Sequence, residues 1–178
     1  MSILAQDLDV ASISTGLLIG RLVVGLGLAA HGAQKLFGWF GGHGLDGTGG
    51  YLESLGFRPG RLFATLAGFG EFAGGVLVAL GLLGPLGPAM MFAVMLVAMM
   101  QHWQNGFFAM NNGIELPLLY ATAGLALAFT GPGLYSLDAM LGLGELFDAR
   151  LQVLAIVIGA AAAVSTLALR RPAPASSH

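Results

Sequence analysis

Apolar positions along the chain run in long stretches, separated by short connections rich in glycine and polar residues. The first stretch extends from about Ile13 to Phe40 and contains Arg21, His31 and Lys35. The second covers about 61–83, with Glu71 near its middle, and the third runs from about Gly87 to Gln104. The fourth covers about 114–130 with Glu115 in its first turn, and the fifth, Leu151 to Leu169, carries no charge. A helix needs about 20 predominantly apolar residues to cross a bilayer. The pattern therefore predicts an all-α integral membrane bundle. A four-helix core fills 13–149 and an additional fifth transmembrane helix fills 150–171. A short acidic arm over 1–12 precedes them, and a disordered tail over 172–178 follows.

The connections carry their own signals. Between about 41 and 60, Gly41-Gly42, Asp46-Gly47, Gly49-Gly50 and Pro59-Gly60 mark turns, with a short interfacial helix expected over Tyr51–Leu55. Trp39, Phe40, Tyr51 and Phe57 stand where interface anchors belong. Gly84-Pro85-Leu86-Gly87-Pro88 is long enough only for an antiparallel hairpin, 105–113 is a second polar loop, and 134–149 reads as an amphipathic connection. Small residues at Gly16, Gly20, Gly27 and Ala30 predict close helix approach.

Composition narrows the class. Charged residues make up 9% of the chain and hydrophobic ones 56%, whereas soluble domains carry about a quarter charged residues. A hydrated surface cannot be covered from this supply. The net charge of −2, with no basic tract beyond Arg170-Arg171, excludes a phosphate-binding face and so nucleic acid. The absence of cysteine excludes disulfides, thiolate catalysis and cysteine-held clusters. No Lys or Arg precedes the first apolar run, unlike a secretory signal, so that run reads as a retained helix. With the N-terminus outside, Lys35, Arg58, Arg61, Arg170 and Arg171 fall on the cytoplasmic side and Arg150 outside, as the positive-inside rule requires.

Six ionisable residues need an account inside lipid: Arg21, His31, Lys35, Glu71, His102 and Glu115. A charge facing hydrocarbon costs several kcal/mol, so such groups turn into the bundle or reach the interface. Glu71 must be protonated or paired with a base. Arg21 and Lys35 share nearly one face of the first helix, and His31 and Lys35 are i,i+4 neighbours. His102 and Glu115 lie on the same membrane side as His31 and Lys35. The expected arrangement is a polar cluster opening towards loop 41–60, with Arg21 reaching Glu71 or capping the cluster from the other side. Plainer readings stand beside this one. An Arg–Glu pair can simply fix register, Lys35 can snorkel, and each histidine can bond between helices. In the functional reading, His31, Glu71, His102 and Glu115 exchange protons. Arg21, Lys35, Trp39 and Trp103 then bind a polar headgroup or quinone ring. The histidines and carboxylates are also metal-ligand types, but none has a local spacing such as HExxH. No residue is assigned to a metal, no covalently bound cofactor is expected, and haem and non-haem metal are not expected. The methionines of the third stretch are read as packing filler.

RLVVGLGLAAHGAQKLFGWFGGHGLDGTGGYLESLGF, GEFAGGVLVALGLL, HWQNGFF, IELPLLY and GPGLYSLD together resemble the DoxX family of small bacterial membrane proteins over about 17–140. The resemblance implies a four-helix core and a relation to the small subunit of a thiosulfate:quinone oxidoreductase. It also marks Arg21, His31, Lys35, Glu71, His102 and Glu115 as the polar positions of interest. The leading expectation is a quinone-linked redox subunit of the bacterial plasma membrane, surrounded by lipid. It would work with a partner protein or as a homo-oligomer. A scaffold that anchors partners, or a small-solute or lipid transporter using Glu71, are the alternatives.

Overall fold

Residues 3–171 are described by this computed structural model, and they form seven α-helices in the order α1 Ile3–Phe37, α2 Gly44–Ser54, α3 Gly60–Leu80, α4 Leu86–His102, α5 Glu115–Thr130, α6 Leu137–Met140 and α7 Ala149–Ala168. No strand occurs among the described residues. The all-α reading stands. Four helices are long and apolar enough to cross a membrane: α1, α3, α4 and α7. The fourth apolar stretch is the short one, since α5 has 16 residues, while α7, which exceeds the four-helix pattern, has 20.

One expectation about the ends changes. Residues 3–12 are not a separate arm but the first turns of α1, which is 35 residues long. Between Ile3 and Gly16 there is no glycine or proline to stop a helix once started. The expected disordered tail, 172–178, lies outside the described residues.

α1 and α3 run antiparallel and meet backbone to backbone. A Cβ added at Gly25 would come within 2.6 Å of Ala79 N and Gly75 O, and one at Gly75 within 2.5 Å of Ala29 N and Gly25 O. Gly32 meets Phe72 and Gly68 in the same way. Glycines seven apart on each helix therefore form one seam, which is how small residues let helices approach in lipid. The expected pair Gly16 and Gly20 is not part of it: no atom lies within 4 Å of a Cβ at either position. Both fall on the outward face of α1.

α4 packs antiparallel on α3 through Gly74 and Gly87, and α5 antiparallel on α4 through Gly124 against Pro88 and Met91. Met91 and Met95 are buried with Leu28, Val78 and Ala121, in the packing role expected of them. α7 lies on α4 where Gly159 faces the carbonyl of Ala89. A second apolar cluster, Leu52, Phe57, Phe63 and Ala64, fixes α2 against α3.

The bundle thus has two ends. One holds the α3–α4 turn, the end of α5, α6 and the start of α7. Asp138 is buried there, and its carboxylate accepts from Leu83 N–H at 2.9 Å and Gly84 N–H at 2.7 Å. The other end holds the C-terminus of α1, α2, the loop 103–114 and the end of α7. Replacement of Gly32 or Gly75 by leucine overpacks the seam, so we expect destabilisation of about 1–3 kcal/mol. Gly16→Leu should be neutral. Thermal unfolding in detergent checks both, and equal effects at Gly16 and Gly75 would refute the seam.

Candidate functional site

The glycine seam carries Lys35, in the last turn of α1, onto the middle of α3. There its ammonium donates to Glu71 Oε1. The Glu71 side chain is 3% exposed and that of Lys35 33%. A buried carboxylate is expensive unless paired, and the pairing base is Lys35. The pairing answers the requirement read from the sequence with a different partner from Arg21. Arg21 lies fourteen residues earlier on α1, about 21 Å along the axis, at the other end of the bundle. Its guanidinium donates to the carbonyl of Tyr135 and rests against Gly81. Gly81 ends α3 in the left-handed region at φ 62. A side chain there would be strained and would occupy the place of Arg21 Nη1. Arg21 is therefore a strut between α1, the end of α3 and the 132–136 turn, and it neither reaches Glu71 nor caps its cluster.

Two cavities meet at Lys35 and Glu71, and both are also lined by Ala98 and His102. The larger, about 400 Å³, lies among α2, α3, α4 and α7 and is walled by apolar groups such as Leu52, Phe63, Val97 and Ala163. The smaller, about 220 Å³, lies among α1, α4, α5 and the loop 103–114, and is lined by His31, Tyr120, Asn112 and Pro117. The lysine–glutamate–histidine group therefore stands between an apolar chamber and a polar one. Glu71 Oε2 and His102 Nδ1 are buried there without a hydrogen-bond partner among the described residues. Buried polar atoms are overwhelmingly satisfied. Arg21 Nε and Nη1 also lack a partner among the described residues but border a space of only about 10 Å³, whereas Glu71 and His102 line cavities with room for a ligand or water.

His31 faces Tyr120 edge-on across the polar cavity, with ring centroids 6.1 Å apart. Tyr120 is not among the residues expected from the sequence. Its signal is the small-residue face Pro117, Ala121, Gly124 and Ala128 that α5 buries, beside which Tyr120 is the one polar side chain, and Gly27 on α1 leaves room for its hydroxyl. Asp138 belongs to the stretch expected as an amphipathic connection. Its capping role shows only once the α3–α4 turn is beside it.

Three other expected positions sit apart from this group. Glu115 does not turn inward: its Oε2 accepts from Ala109 N–H at 2.8 Å and closes the loop 103–114 over the polar cavity. As a first-turn residue after a loop, it meets orphan backbone donors before it meets the bundle interior. Trp39 is 56% exposed in a turn that follows α1, stacked near Phe37, and Trp103 is 61% exposed just past α4. Neither lines a cavity; both suit the interface-anchor role. Loop 41–60 behaves partly as expected. Its helix, Gly44–Ser54, is longer than the expected 51–55, and Thr48, Tyr51 and Leu52 wall the apolar cavity. It shares the apolar cavity with His102, while the loop 103–114 walls the smaller cavity, which His31 and His102 both line. His43 and Asp46 serve the loop itself: His43 precedes α2, and Asp46 pairs with Arg61 at 3.1 Å on the surface. Among the described residues, no three His, Asp or Glu side chains converge as metal ligands would.

Apolar spans of this length, with ionisable groups folded inward, define a multi-pass helical membrane protein. The DoxX family model matches residues 16–109, just over half of the chain, and the chain belongs to the DoxX family. No curated protein and no solved structure matches it. Four of the pocket-lining residues discussed above, His31, Lys35, Glu71 and His102, fall inside the matched segment, whereas Tyr120 and α7 fall outside it.

The pairing has a measurable consequence. Lys35→Met leaves a buried carboxylate and Glu71→Gln leaves a lysine without its counter-charge, each costing about 1–3 kcal/mol. The double variant should lose less than the sum of the two. Infrared spectroscopy should show a protonated carboxyl band in Lys35→Met that vanishes in the double variant. Additive losses would show that the two groups do not interact.

Proposed function

We propose that this protein is the membrane subunit of a quinone-linked redox system, with the quinone or quinol head held at Lys35, Glu71 and His102. The observation that carries the reading is the meeting of an apolar chamber with two buried, unpartnered polar atoms. A quinone carbonyl needs donors, which Lys35 and His102 supply, and a quinol hydroxyl needs an acceptor, which Glu71 Oε2 supplies. His31 and Tyr120, across the polar cavity, carry protons between the head and the loop 103–114. The electrons pass to or from a partner protein that holds a flavin or metal. A pure scaffold has no use for a cavity that ends on buried polar atoms. A transporter needs access to Glu71 from alternating sides, but both cavities lie towards one end, beyond the packed layer of Leu28, Val78 and Met91.

Gently purified protein should carry quinone, detected by mass spectrometry and by its ultraviolet difference spectrum. His102→Ala should weaken binding of an added quinone by about ten-fold, the worth of one good hydrogen bond to a buried group. Tyr51→Phe, on the apolar wall, should stay near wild type. Absence of quinone together with no binding of added quinone by folded protein would sink the proposal.

We infer an orientation in the bacterial plasma membrane with the N-terminus outside. Lys35, Arg58, Arg61, Arg170 and Arg171 gather at the end that holds α2, where Arg170 Nε donates to Leu55 O at 2.6 Å and Arg171 N–H to Gly56 O at 2.8 Å. The chain has no cysteine, so single cysteines report cleanly. In intact cells a membrane-impermeant maleimide should label Gly144→Cys and spare Asn111→Cys. The reverse pattern overturns the orientation.

A further inference from the structure

Leu66 of α3 and Ala162 of α7 line the apolar cavity and are also exposed on the outside of the bundle, Leu66 at 54%. The cavity therefore opens sideways, between α3 and α7, within the span of two helices long and apolar enough to cross the membrane. What lies outside such an opening is hydrocarbon. The way α7 is attached explains why the opening exists. At its middle, Gly159 seats the helix against α4. At its end, Arg170 and Arg171 donate to Leu55 and Gly56, and the Arg170 guanidinium lies 5.9 Å from the centroid of Phe57, another residue of the cavity wall. Between these two attachments α7 offers the cavity only Ala162, Ala163 and Thr166. Ala163 is 2% exposed. Larger side chains there would fill the space.

We propose that the gap between α3 and α7 is the entry by which the isoprenoid chain of a membrane-soluble ligand reaches the cavity, and that Ala163, on the α7 wall of the chamber, leaves the room the chain occupies. The chain lies along the apolar wall, and its head meets Lys35, Glu71 and His102 at the inner limit. A volume of about 400 Å³ is within the range of small-ligand sites. The identity of the head rests on the quinone reading, whereas the entry of the chain rests on the cavity and its opening. A helix beyond the family match thus completes the site: α4 and α7 form one side of the chamber, and α4 lies within the matched segment whereas α7 lies outside it.

Full-length protein in phosphatidylcholine vesicles tests this with three photoactivatable probes. One is a prenyl chain with a terminal diazirine and a benzoquinone head, the second the same chain with a methyl ester head, and the third a phosphatidylcholine with a diazirine-bearing acyl chain. Labelled peptides are mapped by mass spectrometry. The expected result is strongest labelling of Ala67, Val97 and Ala163 by the quinone-headed probe, above the lipid-facing background at Val157 and Ile158. Ala163→Phe should reduce that chamber labelling about ten-fold or more, with Ala163→Val intermediate. Background labelling and thermal unfolding verify that each variant is folded. Equal chamber labelling by both prenyl probes would refute the quinone head and leave the entry of the chain supported. Strongest chamber labelling by the phosphatidylcholine would make the occupant a bilayer lipid and overturn the proposal. Background labelling alone, or chamber labelling unchanged in both Ala163 variants, would also overturn it.

Discussion

A carboxylate in the middle of an apolar helix is the constraint on which the bundle depends. Glu71 cannot face lipid, and it cannot be buried alone without a cost of several kcal/mol. Its position demands a base from a neighbouring helix, brought close enough for direct contact. The glycines at 25, 32, 68 and 75 meet that demand, because they let α1 and α3 touch along their backbones and so bring Lys35 over Glu71. Close approach and charge pairing are therefore one device. Loss of the seam would separate the pair, and loss of the pair would leave a charge at the seam.

The two ends of the bundle differ in what their charged groups contact, although Arg21 Nε and Nη1 lack partners among the described residues just as Glu71 Oε2 and His102 Nδ1 do. At the α3–α4 turn, Asp138 and Arg21 use their charges on backbone: the carboxylate accepts two N–H groups and the guanidinium donates to a carbonyl. These contacts hold an end closed. At the Lys35 end the backbone is satisfied by others, with Glu53 accepting from Gly60 N–H and Glu115 from Ala109 N–H. Lys35, Glu71 and His102 are left facing space. A structural end and a site-bearing end follow from where capping groups are available.

Much of this was legible in the sequence. Long apolar runs located α3, α4, α5 and α7 within a few residues but missed the first ten residues of α1 and most of α2, and the need of Glu71 for a base followed from its place in α3. His31, Lys35, His102 and Glu115 could be placed on one side because helix order fixes which ends are neighbours. Which base meets Glu71 was not legible, since Arg21 and Lys35 occupy nearly the same face, and only the vertical register of α1 against α3 separates them. That register is set by Gly25 and Gly32, which do not stand out among 29 glycines. Glu115, Trp39 and Trp103 were misplaced for a related reason. Periodicity gives the helix face, but residues at a helix end answer first to the loop and to the interface.

The sixteen residues of α5 have a consequence for the surrounding bilayer. Such a helix rises about 24 Å, short of a hydrocarbon layer of about 30 Å. Gly124 of α5 packs on Pro88 and Met91 near the start of α4, so the deficit falls at the opposite end, above Glu115. There the irregular backbone of 103–114 takes up the missing length over the polar cavity. Local thinning of the membrane is one way a short span is accommodated, and here it would pinch the bilayer beside His31 and His102. The aqueous phase is drawn several ångströms closer to the histidines on that flank, while the flank of α3 and α7 keeps its full thickness of oil.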